Sequence, residues 1–190
     1  VSSFGSTENV TDSAGFSGTY TNTLGTAGLA SLRFQASAPS ALAVANGSIL
    51  NISSGGILVA PNVSANDSFI SGGFLTSSGS ELVVFQQNPQ PTSALRISSQ
   101  IINVPSVGVL SLTKTGPGTL VLSGTNTYSG STNLNAGTLR TVGGYAIGDR
   151  STVILGNSTS VLLDLNNSSE TIGSLSGGGL LGSTTSAGIV

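Results

Sequence analysis

The side chains that could do acid–base chemistry in this 190-residue chain are seven carboxylates: Glu8, Asp12, Asp67, Glu81, Asp149, Asp164 and Glu170. Cleaving a polysaccharide would need two carboxylates, or a carboxylate with Lys or Arg, gathered on one face. These seven are scattered along the chain, and no His is present to exchange protons near neutral pH. Asp164 lies between Leu163 and Leu165 and reads as an outward, solvated charge near Glu170. Asp149-Arg150 reads as a turn pair.

Calcium is the other chemistry to weigh. Gly143-Gly144-Tyr145-Ala146-Ile147-Gly148-Asp149 has the outline of a Gly-Gly-x-Gly-x-Asp calcium-binding unit, but such sites are built by repetition and this unit occurs once. It reads as a glycine turn followed by a single helical turn at Tyr145–Gly148. Asn-x-Ser/Thr sequons occur at Asn9, Asn46, Asn51, Asn62, Asn66, Asn157, Asn166 and Asn167. In a chain this rich in Asn, Ser and Thr they read as turn chemistry. The sequence therefore predicts no catalytic, cofactor-binding or metal-ligating residue, no cofactor and no enzymatic activity.

Composition narrows the partners. Only 6% of residues are charged, with a net charge of −2 and five Lys and Arg in all, far below the ~25% charged content of an ordinary soluble domain. Arg33, Arg96, Lys114, Arg140 and Arg150 cannot form the basic stripe a nucleic acid requires. Cys is absent, so no disulfide or thiol chemistry is available, which fits export through an oxidising compartment. No apolar run approaches the ~18 residues of a membrane-spanning helix. With no initiator Met and no signal-peptide pattern at Val1, the chain reads as a piece of something longer. Hydrophobic residues make up 37% of the chain, too many for plain disorder.

Those aliphatics come in short runs broken by Gly, Asn and Pro. Residues 1–28 read as irregular strands or an imperfect first coil. From 29 onward, strands are expected at Leu29–Phe34, Ala41–Val44, Ile49–Ile52, Ile57–Val59, Ser68–Ser71, Gly73–Thr76, Glu81–Gln86, Leu95–Ile97, Ile101–Val104, Thr119–Leu122, Thr138–Val142, Ser151–Leu155 and Val161–Leu165, with shorter pieces at Thr171-Ile172, Leu175 and Leu180-Leu181. Ser53–Gly56 and the turn residues Gly124, Asn126, Gly130 and Asn133 are expected to interrupt them. About three strands per 20–25 residues favours a right-handed parallel β-helix of roughly seven to eight coils over a sandwich. Each coil would bury its aliphatics against the next and bond to it through the backbone. The inward set should include Leu32, Phe34, Leu50, Ile52, Leu58, Leu82, Val84, Ile97, Ile102, Leu112, Leu120, Leu122, Leu134, Leu139, Ile154, Leu163 and Leu165.

One stretch is more specific. Lys114-Thr115-Gly116-Pro117-Gly118-Thr119-Leu120-Val121-Leu122-Ser123-Gly124-Thr125-Asn126-Thr127-Tyr128-Ser129-Gly130, followed by a second Gly-Thr-Leu at Gly137–Leu139, resembles the passenger-associated transport repeat, also called the autotransporter-associated β-strand repeat. Ala146–Gly148, Leu163–Leu165 and Thr171–Gly177 resemble what usually follows it, so the recognisable region runs over about 110–177. The resemblance implies a β-helix on the surface of, or secreted by, a bacterium. The implied role is a non-enzymatic passenger segment or adhesin stalk. Two alternatives stand beside it: a filament subunit stacking head to tail, and a glycan-binding or glycan-cleaving β-helix. Expected partners are neighbouring repeats or subunits end to end, and host or matrix glycans or proteins. The motif's Lys114 is expected to hydrogen-bond carbonyls of a neighbouring coil, and Tyr128 to pack at a corner with its hydroxyl on a backbone partner.

Overall fold

The computed structural model describes residues 8–12, 27–103 and 108–183. The expectations placed on 1–7, on 13–26 and on Val104 lie outside them. Among the described residues the strands are β1 (Asn9–Asp12), β2 (Ala27–Phe34), β3 (Ser40–Ala43), β4 (Ile49–Val59), β5 (Ser68–Ser71), β6 (Phe74–Thr76), β7 (Glu81–Gln86), β8 (Ala94–Ile97), β9 (Gln100–Ile101), β10 (Ser111–Thr115), β11 (Thr119–Leu122), β12 (Thr132–Leu134), β13 (Gly137–Thr141), β14 (Thr152–Leu155), β15 (Val161–Asp164), β16 (Ser174–Gly177) and β17 (Leu180–Gly182). A single 3-10 turn follows β4 at Pro61–Val63.

Every pairing among the described residues is parallel, and strands bond to their equivalents in the neighbouring coils. The first sheet runs β1-β2-β4-β7-β10-β12-β14-β16 and the second β17-β15-β13-β11-β8-β5-β3. A third side exists over the early coils, where β6 pairs with the first part of β4 and with β9. The molecule is a parallel β-helix, as its sequence predicts. From β2 the chain returns to the first sheet six times, giving about six turns rather than seven to eight.

The core consists of columns of side chains. In the first sheet Val10, Leu32, Ile57, Val84, Lys114, Leu134, Leu155 and Gly177 stack in one register. In the second, Ser40, Ser68, Leu95, Leu120, Leu139, Leu163 and Leu181 do so. Parallel, in-register stacking works because equivalent positions of successive coils face the same way, so one small or apolar choice repeats along the axis.

Three expected inward residues face the other way. Leu58 is only half-buried, while Ile57 and Val59 fill the core. The cause is β4 itself. Ser53–Gly56 does not break the strand but carries it round a corner, with Gly55 at φ +77, and the inward parity switches from Leu50 and Ile52 to Ile57 and Val59. The partner β2 makes the same switch between Leu29 and Leu32. At the next such corner Ile101 points in and Ile102 is half-buried. In β14, Val153 and Leu155 point in, and Ile154 is 42% exposed. The helical turn expected at Tyr145–Gly148 is a turn without helix, Asn133 lies inside β12 rather than in a turn, and Thr171-Ile172 is not a strand. The sequons are not uniformly turns either: Asn9 and Asn51 sit in β1 and β4.

Candidate functional site

The repeat occupies β10 to β13, about one and a half coils. Its glycines sit where coils touch. A Cβ on Gly118 would collide with the Asn88 carbonyl, and one on Gly130 with the Leu110 carbonyl. Gly137 has φ +70 and lies over the Gly116 and Gly118 carbonyls. Both the close approach and the left-handed φ exclude side chains there.

Lys114 is the unexpected member of the core. It occupies an interior position between Val84 and Leu134 and is fully buried. Its ammonium satisfies itself at a corner: Nζ donates to the carbonyls of Gly116 at 2.7 Å, Ala136 at 2.9 Å and Thr115 at 3.2 Å. Ala136 belongs to the following coil, so the expected link to a neighbouring coil is present. Burial pushes the amine down to about 7, while the three carbonyl dipoles at its head favour the charged form.

A second polar group crosses three coils. The buried Tyr128 hydroxyl pairs with Thr132 Oγ1 at 2.8 Å, and Thr132 Oγ1 with Ser151 Oγ at 2.7 Å. The hydroxyl therefore meets side chains as well as the expected backbone partner, which is Gly148. Burial pushes the phenol up to about 12. Glu170 lies nearby, 5% exposed; its Oε1 accepts the Ile147 N–H at 2.6 Å, while Oε2 is buried without a hydrogen-bond partner. Burial raises this carboxyl to about 7, with Asp149 adding to the rise and the Ile147 and Ala146 amides opposing it.

Asn126 does the work of a strand on the third side. Its Oδ1 accepts the Ile101 N–H at 2.7 Å, and its Nδ2 donates to the Ala146 carbonyl at 2.5 Å. One carboxamide therefore bonds to the coil before and the coil after. Asn103 ties its own corner similarly, accepting from the Leu110 and Ser129 amides at 3.0 Å each.

Most of the carboxylates weighed for chemistry are committed to partners. Asp12 is buried and accepts from the Gln35 and Ala36 amides and from Ser40 Oγ. Asp67 holds the Ala94 amide and the Arg96 guanidinium. Glu81 accepts from Thr113 Oγ1 at 2.5 Å. Glu8 and Asp149 are exposed. Asp164 is the correction: it is fully buried, not solvated, because Arg140 in the adjacent position of β13 bonds it at 2.7 Å and the Asn166 amide donates to its other oxygen at 2.9 Å. Among the described residues no three His, Cys, Asp or Glu gather as a metal-binding group, and no helix is long and apolar enough to cross a membrane.

What the sequence missed is the depth of Lys114 and the Glu170 cluster. The alternation Leu112–Lys114 in β10 was the available signal, since Leu112 points inward and position 114 shares its parity.

A solenoid with glycine corners, an interior lysine and carboxamide bridges defines a repeat-built scaffold. Residues 112–140 match the family Passenger-associated-transport-repeat. Over 82 residues, 43% of this chain, it is 44% identical to "Adhesin BmaC autotransporter" of Brucella suis biovar 1 (strain 1330). The matched part spans 2% of that relative's length. No solved structure gave a significant match. The repeat and the relative indicate a bacterial surface or extracellular location.

Proposed function

We propose that the segment is a non-enzymatic spacer: a stiff β-helical rod, with residues 29–190 as one unit behind a lead-in at 1–28, that carries an adhesive surface of its parent protein away from the cell. The observation behind this reading is where the polar groups go. Lys114, Asn126, Asn103, Asp12 and the Tyr128 group all spend their hydrogen bonds joining one coil to the next or fixing a corner. Removing whole coils from the surface-displayed parent tests it: adhesion should persist while the reach of the tip, measured by electron microscopy, shortens. Loss of adhesion with every single-coil deletion, or release of reducing ends from a glycan panel by the purified segment, would overturn it.

A further inference from the structure

We propose that Asn46 is a site of spontaneous covalent modification, in which its side-chain amide is converted to an acid through a cyclic imide with Gly47. Asn46-Gly47 is the one Asn-Gly pair in the sequence. Both residues are exposed at the tip of the turn between β3 and β4. Gly47 adopts φ +77, and nothing lies within 4 Å of where its Cβ would be, so the turn is uncrowded at that residue. Neither the Gly47 amide nor the Asn46 carboxamide is engaged in a hydrogen bond. The turn's flanks are held: the Val44 amide donates to the Ser71 carbonyl at 2.7 Å, and the Phe74 amide to the Ser48 carbonyl at 2.8 Å. Free reacting groups therefore sit between fixed ends.

The step balances with water as the only added reactant. The Gly47 nitrogen attacks Asn46 Cγ and forms a C–N bond. Its proton leaves with the departing Nδ2, which is released as ammonia. Water then opens the ring: cleavage of the Cγ–N bond gives aspartate, and cleavage at the main-chain carbonyl gives isoaspartate with one extra methylene in the backbone. Either product makes the net charge of −2 one unit more negative.

Several other asparagines are held back by chemistry or contacts. Asn88 precedes Pro89, which has no N–H to attack. The carboxamides of Asn51, Asn62, Asn66, Asn103 and Asn126 are engaged in hydrogen bonds.

The folded chain, aged at mildly alkaline pH and 37 °C, should be digested and mapped by mass spectrometry with electron-transfer fragmentation to separate aspartate from isoaspartate. Because glycine puts no Cβ in the way of the attack, Asn46 should convert at least about tenfold more than Asn62 or Asn157, and Asn46→Gln should remove the early acidic species from ion-exchange profiles. A folded chain that leaves Asn46 intact while the urea-unfolded chain converts it would overturn the proposal, as would any other asparagine converting first.

Discussion

Two ion pairs share one geometry and differ in burial. Arg96 Nε meets Asp67 at 2.6 Å and Arg140 Nε meets Asp164 at 2.7 Å, but Asp164 is fully buried while Asp67 is 24% exposed. Losing a partner strands a charge only where water cannot replace it. Arg96→Ala should therefore cost no more than about 1 kcal/mol, and Arg140→Ala about 2–4 kcal/mol, read from urea denaturation. Equal losses would mean that burial of Asp164 is not what gives the second pair its weight. Lys114→Met keeps the volume but leaves the Thr115, Gly116 and Ala136 carbonyls without their donor. The same measurement should show a loss of roughly 1–3 kcal/mol.

Glu170 gives a pH dependence with a definite sign. Its folded value, about 7, lies above its ordinary 4.5, so the fold holds the proton more tightly than the unfolded chain. Stability from this group is full below the ordinary value and is lost as pH rises through the folded one. Glu170→Gln, which can still accept the Ile147 amide, should flatten the decline in melting temperature between those limits; an unchanged slope would show that another group causes it. None of this could be read from the sequence. Asp164 and Glu170 are ordinary acids by type, and only the neighbouring coils decide that one is paired and the other is left with an idle oxygen.

At the level of strands, most of the helix was legible because short aliphatic runs between glycines leave few alternatives. Thr119–Leu122 appears in the structure with the expected ends. Inward parity was harder. Ile57-Leu58-Val59 and Val153-Ile154-Leu155 are uniformly aliphatic, so alternation carries no signal, and in β4 the corner at Gly55 resets it. Corners also depend on close backbone contact between coils. A Cβ on Gly148 would collide with the Tyr128 carbonyl, whereas one on Gly47 meets nothing. Gly148→Ala should thus cost about 1–3 kcal/mol by overpacking against backbone, seen as a lowered urea midpoint with unchanged slope. A neutral outcome would mean that this corner yields without penalty.

For the molecule as a whole, the sequence motif located one repeat, but the continuity of the columns on either side of it came only from register. Val10 to Gly177 form a single stacked line although the residues between them share no motif, because a parallel coil asks only that each inward position suit its neighbour above and below. The polar contact beside its first member, where Asp12 accepts from Ser40 Oγ, was likewise invisible.

The strictly parallel stacking has a mechanical consequence. Successive coils are joined by hydrogen bonds that run along the rod, so a pull on the two ends of the chain loads those bonds one coil at a time instead of shearing many together. The rod should peel rather than snap. Equivalent positions in the repeat region are 19–22 residues apart, so each released coil should lengthen the tether by about 60–75 Å. Stretching the segment in an optical trap should give a train of evenly spaced, low-force steps; one abrupt rupture would show that the coils yield together.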